Sequence, residues 1–487
     1  MKGRWMVALV VMAMVGSGAS AAAVESEEDA EAARRAADAA AMAAAQPPIW
    51  GSPDGVIMEE EPPSAPNLKW LHSQAVISDP TLDMVEPSIA TAPDGRLFAA
   101  VDERGTGRIF VYHSTDNGVT WSWLLSFLHG SLARNPALAY AESSGQKWLF
   151  VVYEYVLSDA SRSLYALRVD PDDTGNWVFV GIDTGITWLN ASTELQPQIT
   201  TDYLDWPTYY VYLTYAIPSI DHYPVFFTRS TDQGATWSTP ENITGGSENT
   251  AFESKPEIAY CAYDNDVYVA FNKPGWTGST WEQQVWVTKS ENYGAAGSWQ
   301  APVQVTSSPR PDHHPSIAAA WDAETIVVSF TSEYSVSDND VHRTFSTDGG
   351  ATWSSPLSMP GWTYGQEDNV DLAASHSAGG RFHAAYRKDE PSPALGHIYY
   401  SWANVATPGT WSMPVIVDDT TNVSGAGFHP RPSIAVFPSV PPSVDAVMAW
   451  TEASGTYQVI FDGPGAGLLF ADDLESGGLT GWSATVP

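Results

Sequence analysis

An eight-residue motif recurs at a fixed interval. Ser114–Trp121 reads STDNGVTW, Ser230–Trp237 reads STDQGATW and Ser346–Trp353 reads STDGGATW, each start 116 residues after the last. So long a period exceeds one supersecondary unit, and degenerate copies are expected midway. They stand at Asp170–Trp177 (DPDDTGNW), Ser290–Trp299 (SENYGAAGSW) and Ser401–Trp411 (SWANVATPGTW), which brings the repeat to about 58 residues.

A second motif sets the phase. Pro87-Ser88-Ile89-Ala90, Pro136-Ala137-Leu138-Ala139, Pro197-Gln198-Ile199-Thr200, Pro256-Glu257-Ile258-Ala259, Pro315-Ser316-Ile317-Ala318 and Pro432-Ser433-Ile434-Ala435 open successive units. Val370-Asp371-Leu372-Ala373 fills the remaining slot with the proline replaced. Apolar runs such as Leu97–Val101 and Ile326–Phe330 follow, then a third strand enters the STDxGxTW turn and a fourth leaves it. Seven four-stranded units predict an all-β chain folded as a seven-bladed β-propeller. The seventh unit lacks a fourth strand, whereas an orphan, Trp70–Ser78, precedes the first. Pairing that N-terminal strand with Tyr457–Phe461 would close the ring and remove two sheet edges.

Composition bears on what such a ring can bind. Asp and Glu number 57 against 22 Lys and Arg, a formal charge of −35, which argues against nucleic acid as a partner. Cys261 is the single cysteine, so no intrachain disulfide forms. Residues 1–23 read as a signal peptide: Lys2 and Arg4, an apolar run Trp5–Val15, then Ala19-Ser20-Ala21. That run is too short to span about 30 Å of hydrocarbon, so no transmembrane segment is expected in the mature chain. Residues 24–65 form an Ala/Glu-rich then Pro-rich linker, 66–465 the propeller and 466–487 a C-terminal tail. The tail resembles the acidic-glycine-tryptophan ends of many exported bacterial proteins; a sorting tag and an ordinary tail are both open readings. The expected location is secreted, periplasmic or at the cell surface of a bacterium.

The STDxGxTW copies resemble the Asp-box, or bacterial neuraminidase repeat, of the sialidase-superfamily propellers, over roughly residues 69–465. The resemblance implies a tight turn between third and fourth strands, away from the active site, with Asp116, Asp232 and Asp348 structural. Elementary chemistry agrees: these aspartates can accept backbone N–H bonds, glycine permits positive φ and the tryptophan packs on its blade. Six blades, the number typical of sialidases, is the alternative to seven. Arg134-Asn135-Pro136 looks like the sialidase Arg-Ile-Pro motif, which implies that Arg134 starts an inner strand and grips a sugar carboxylate. The family motif lies in the first blade, however, and Arg134 falls in the second unit. The same resemblance calls for two further arginines (Arg310 and Arg431 are candidates), a Tyr–Glu pair (Tyr364 with Glu367) and an acidic proton donor.

Residues just before each inner-strand motif should ring the channel mouth. Ligand-binding candidates there are Arg134, Asn135, Lys255, Arg310, His313, His314 and Arg431; catalytic candidates are Asp312, Glu367, Asp368 and Tyr364. The competing reading is a wet channel in which opposite charges pair. Trp276, Trp281, Trp362, Tyr364, Trp188 and Tyr223, placed between strands, offer flat faces to sugar rings. No metal or other cofactor is expected: Asp312-His313-His314 lacks a third ligand at zinc spacing. Asp338-Asn339-Asp340 and Asp264-Asn265-Asp266 do not continue into an EF-hand loop, so Ca2+ is left open without being indicated.

The sequence therefore reads as an exported sialidase-like propeller that recognises an extracellular, acidic glycan or glycoprotein. Hydrolysis by a glycoside hydrolase of exo-sialidase type is undecided. The alternative is a non-catalytic scaffold binding a protein or polysaccharide at the cell surface.

Overall fold

The computed structural model describes residues 75–77, 82–129, 132–156, 162–182, 194–202, 209–217, 224–245, 256–335, 338–361, 365–376, 379–391, 394–418, 431–437, 446–453 and 457–462. These residues form seven antiparallel sheets of four strands each and no helix. In blades 1 to 7 the inner strands are Met84–Thr91, Leu132–Ser143, Gln198–Thr201, Glu257–Cys261, Asp312–Ala319, Glu367–Ala374 and Ser433–Val436. Each inner strand contacts the next, and the seventh contacts the first, so the sheets close into a seven-bladed β-propeller. Blade 7 takes its outer strand from the chain's N-terminal side: Ala75 pairs with Phe461 and Val76 with Ile460. The orphan strand thus completes the last blade, as the edge argument requires.

Burial explains the strand pattern. The second strands, Leu97–Glu103 in blade 1 and Val211–Ala216 in blade 3, are buried at every residue because neighbouring blades cover both faces. Apolar clusters fill the joints: Phe98 and Leu149 between blades 1 and 2, Phe150 and Tyr209 between 2 and 3, Leu97 and Phe461 between 7 and 1. Each such ring or branched side chain contributes about 1.5–3 kcal/mol through burial.

The STDxGxTW segments are the turns from third to fourth strand. Ser114 Oγ lies 2.7 Å from Asp116 Oδ1, Thr120 N donates to the same oxygen at 2.9 Å, and Thr120 Oγ1 donates to Asp116 Oδ2 at 2.6 Å. The arrangement repeats at Asp232 and Asp348, with Thr236 and Thr352 N–H donating at 2.8 Å in each. Hydrogen bonding from Thr120 holds Asp116 below the ordinary carboxylate range. Gly118, at φ 86°, sits so close to the neighbouring blade that an added Cβ would fall 1.8 Å from Phe461 Cε1.

Two devices at the inner strands were not evident from the motif alone. Glu86, Asn135, Gln196, His314 and Asn369 each take positive φ, between 48° and 55°, at the residue before the Pro (or Val370) position. In blades 1, 2, 5 and 6 a register shift accompanies them, so each inner strand starts with a bulge. Next, the residue after that position staples blade to blade. Ser433 Oγ accepts from Ile89 N at 3.2 Å, Ser88 Oγ from Leu138 N at 2.9 Å, Ser316 Oγ from Leu372 N at 3.0 Å and Asp371 Oδ2 from Ile434 N at 3.0 Å.

Candidate functional site

In a four-stranded antiparallel blade the inner strand begins on the face where the second strand ends and the third begins. The bulges therefore lie on one face with the second-strand ends, opposite the STDxGxTW turns. Here the strands give up apolar residues for charged ones: Asp102 and Glu103 in blade 1, Glu154 in blade 2, Lys273 in blade 4, Glu333 in blade 5, and Arg387 and Lys388 in blade 6.

On one side of the mouth stands Arg134. Its neighbour Asp102 is buried, and burial together with Glu86 pushes that carboxyl up to about 8, against the pull of Arg134 and Arg104. Arg134 makes no hydrogen bond or ion pair within 4 Å among the described residues, and its Nε is buried without a partner. Asn135 is committed: its Nδ2 donates to Glu154 Oε1 at 2.7 Å. Glu154, fully buried, also accepts from Leu195 N at 2.7 Å, from Gln196 N at 3.0 Å and from Arg162. Burial raises its carboxyl while Arg162 opposes. That carboxylate ties blade 2 to blade 3.

On the far side stands Arg310. Its guanidinium lies 3.9 Å over the ring of Tyr334 and makes no hydrogen bond or ion pair among the described residues. Tyr334 is 40% exposed, and its hydroxyl lies 3.4 Å from His342 Nε2, which is 4.0 Å from Asp340 Oδ2. Burial, Glu367 and Asp338 push Asp340 up to about 7, against Lys388 and Arg310. Burial and the two arginines Arg310 and Arg343 bring His342 down to about 4. Asp312 is wholly buried and pushed up to about 7 by that burial; Ser332 and Ser308 hydrogen-bond its Oδ1, and Oδ2 has no partner among the described residues.

Between these two stations runs a bridge. Arg431, before the inner strand of blade 7, donates to Glu257 Oε1 at the start of the inner strand of blade 4, and lies 3.6 Å from Asp371 Oδ1 of blade 6. Blade 4 faces blade 7 across the ring, so this pair crosses the channel.

The sequence candidates are thus divided. Arg134, Arg310 and Arg431 sit among three separate sets of neighbours, in blades 2, 5 and 7. Glu367 is buried and paired with Lys388 at 3.1 Å, and Asp368 is buried and paired with Arg387 at 3.1 Å. His313 and His314 stack edge to face at 4.5 Å, with His313 Nε2 3.9 Å from Glu333. Lys255, Tyr364, Trp362, Trp188 and Tyr223 lie outside the described residues. Trp276 and Trp281 are not loop residues, as their positions between apolar runs suggested. They close a long hairpin as a cross-strand pair, rings 5.8 Å apart, with Trp281 48% exposed. Among the described residues no group of three or more His, Cys, Asp or Glu is placed to hold a metal ion, and no helix is long and apolar enough to cross a membrane.

Motif reading passed over Asp102, Glu154, Tyr334 and His342, and weighed Asp340 only as part of a calcium-loop fragment. A usable signal existed for two of them: Asp102 and Glu154 are acids inside otherwise apolar strands, LFAAVDE and FVVYEYV.

No protein-family model and no curated protein matches this chain. Among solved structures it is similar to an ulvan lyase, a polysaccharide lyase bound to -[GlcA(1-4)Rha3S]-, at 9% identity and TM-score 0.50, covering 80% of this chain and 95% of that one. It is also similar to a protein of unknown function from Dyadobacter fermentans (12% identity, TM-score 0.48, 82% of this chain and 98% of that one). A third is the NanB sialidase of Streptococcus pneumoniae (12% identity, TM-score 0.43, 78% of this chain and 68% of that one). The chain is a seven-bladed β-propeller, and the likeness to the lyase is one of fold.

Proposed function

We propose that the face carrying the inner-strand starts recognises an acidic glycan, in an exported protein of the sialidase-superfamily type. One observation carries this reading. In a chain of net charge −35, the guanidinium groups of Arg134 and Arg310 stand at the mouth with no hydrogen bond or ion pair among the described residues. Carboxylates elsewhere take up arginines readily, as Glu154 does Arg162 and Asp368 does Arg387. A planar guanidinium left over beside an aromatic ring suits the carboxylate or sulfate of a sugar. The Trp276–Trp281 pair, with Trp281 exposed and Trp276 half-buried, adds a stacking platform in blade 4. The ulvan lyase's acidic saccharide is a ligand of the same chemical kind.

Glycan-array binding of the purified chain tests the reading. Acidic glycans are expected to bind, and Arg310→Ala to weaken them at least about tenfold; an array on which neutral glycans bind equally well would sink it. A second reading, proton-transfer chemistry on the bound glycan, is favoured by Asp340, a carboxyl near Arg310 and Tyr334 that burial pushes up to about 7, where a general acid serves at neutral pH. Turnover of a fluorogenic sialoside, compared with Arg134→Ala, separates a sialidase from a binding protein.

A further inference from the structure

We infer that the mouth holds two anion subsites, one at Arg134 and one at Arg310, so that the ligand is a chain bearing acidic groups on more than one sugar. The inference rests on the acidic-glycan reading above and refines its ligand class.

Ring order is the starting point. The inner strands contact one another in the sequence of blades 1 to 7 and back to 1. The Arg431–Glu257 pair joins blade 7 to blade 4 and so forms a chord across that ring. Blades 1 to 3, with Arg134, fall on one side of the chord; blades 5 and 6, with Arg310, fall on the other. Both side chains of the bridge are engaged: Arg431 also holds Asp371, and Glu257 is buried. An anion reaching for all three arginines at once would have to dislodge Arg431 from a carboxylate it already pairs with, which leaves a buried charge alone.

The surroundings of the two stations differ as well. Arg134 lies beside Asp102, which Glu86 also approaches, over the joint of blades 1 and 2. Arg310 is held flat on Tyr334, near Asp312, Asp340 and His342 in blade 5. Each station therefore has its own fixed orientation and its own counter-charges. The span between them follows from the bridge: one arginine and one glutamate side chain together cross the ring, a reach of roughly 12–15 Å between backbones at about 1.5 Å per bond. On opposite arcs, Arg134 stands one residue before the position in blade 2 that matches Arg431, and Arg310 stands four residues before its match in blade 5, where it packs on Tyr334. A single sugar ring is too small to serve both, while a di- to tetrasaccharide is long enough.

The test is a size series on the full chain by calorimetry, with mono-, di-, tetra- and hexagalacturonate. Tetragalacturonate is expected to bind at least about tenfold more tightly than the monosaccharide. Arg134→Ala and Arg310→Ala should each bring the tetrasaccharide down to the monosaccharide's affinity, and the double variant should lose binding altogether. Arg134→Lys and Arg310→Lys, which keep the charge, are expected to fall between wild type and the alanine variants, and thermal melts check that every variant is folded. A sulfated neutral tetrasaccharide run in parallel tells whether carboxylate or sulfate ester is the group taken; binding of either supports the two stations. Equal affinity for mono- and tetrasaccharide, lost in either single variant, would show one shared pocket and overturn the inference while leaving the acidic-glycan reading intact. No binding to any acidic probe overturns both.

Discussion

At the scale of single residues, the molecule carries two opposed sets of displaced titrations. Burial pushes Asp102 up to about 8 and Asp312 and Asp340 up to about 7, from an ordinary 3.8. A carboxyl raised in this way favours the fold fully below its unfolded value and loses that contribution as pH climbs through the folded one. Burial brings His342 and His376 down to about 4 and His383 to about 3, from 6.5. A lowered imidazole does the reverse: the fold takes it neutral, so stability falls as pH drops below 6.5 toward those values. The two sets oppose each other between about pH 4 and 6.5, so thermal stability is expected to be nearly flat there and to fall as pH climbs from 6.5 to 8. Melting curves across pH check this. Asp340→Asn should raise stability by roughly 1–3 kcal/mol at about pH 8 and leave it unchanged below about pH 4. A monotonic rise with pH would contradict the assignment. Little of this was legible in the sequence, because Asp340 acquires its character from Glu367 in the next blade and from Lys388 across the joint. Sequence spacing does not report such neighbours.

At the scale of the element, repetition did most of the predictive work. The STDxGxTW spacing announced a turn, and its serine, aspartate and threonine close on one another in the same way three times. The Pro-Ser-Ile-Ala motif located every inner strand, yet its serine had a second use as a staple to the following blade, which only ring geometry reveals. Gly118 shows why the turn also matters beyond itself. Replacing it with alanine would place a methyl group on Phe461, in a backbone conformation of φ 86° that alanine resists. The expected loss is about 3 kcal/mol or more, measured by denaturant unfolding. An unchanged midpoint would mean that blades 7 and 1 can part without penalty.

At the scale of the whole molecule, the joint between first and last blades governs assembly. Blade 7 is built from Ser433–Val436, Ala446–Ala453, Tyr457–Asp462 and, from the other end of the chain, Ala75–Val76. Deleting residues 66–80 should leave an insoluble or non-cooperative product, since two edges then remain open; a soluble chain with a sharp melt would refute it. The number of blades and their closure could be read from the repeat because each unit buries itself only against copies of itself. The division of the mouth could not, since Arg431 and Glu257 belong to opposite blades and nothing local marks them as partners.

That late joint also bears on how the protein is made. A growing polypeptide can stack its early sheets in order, but the ring stays unsealed until the stretch beginning at Tyr457 arrives to meet Ala75. Until then its two flanks invite the matching flanks of sister molecules, so slow or interrupted synthesis would favour head-to-tail joining over a closed monomer.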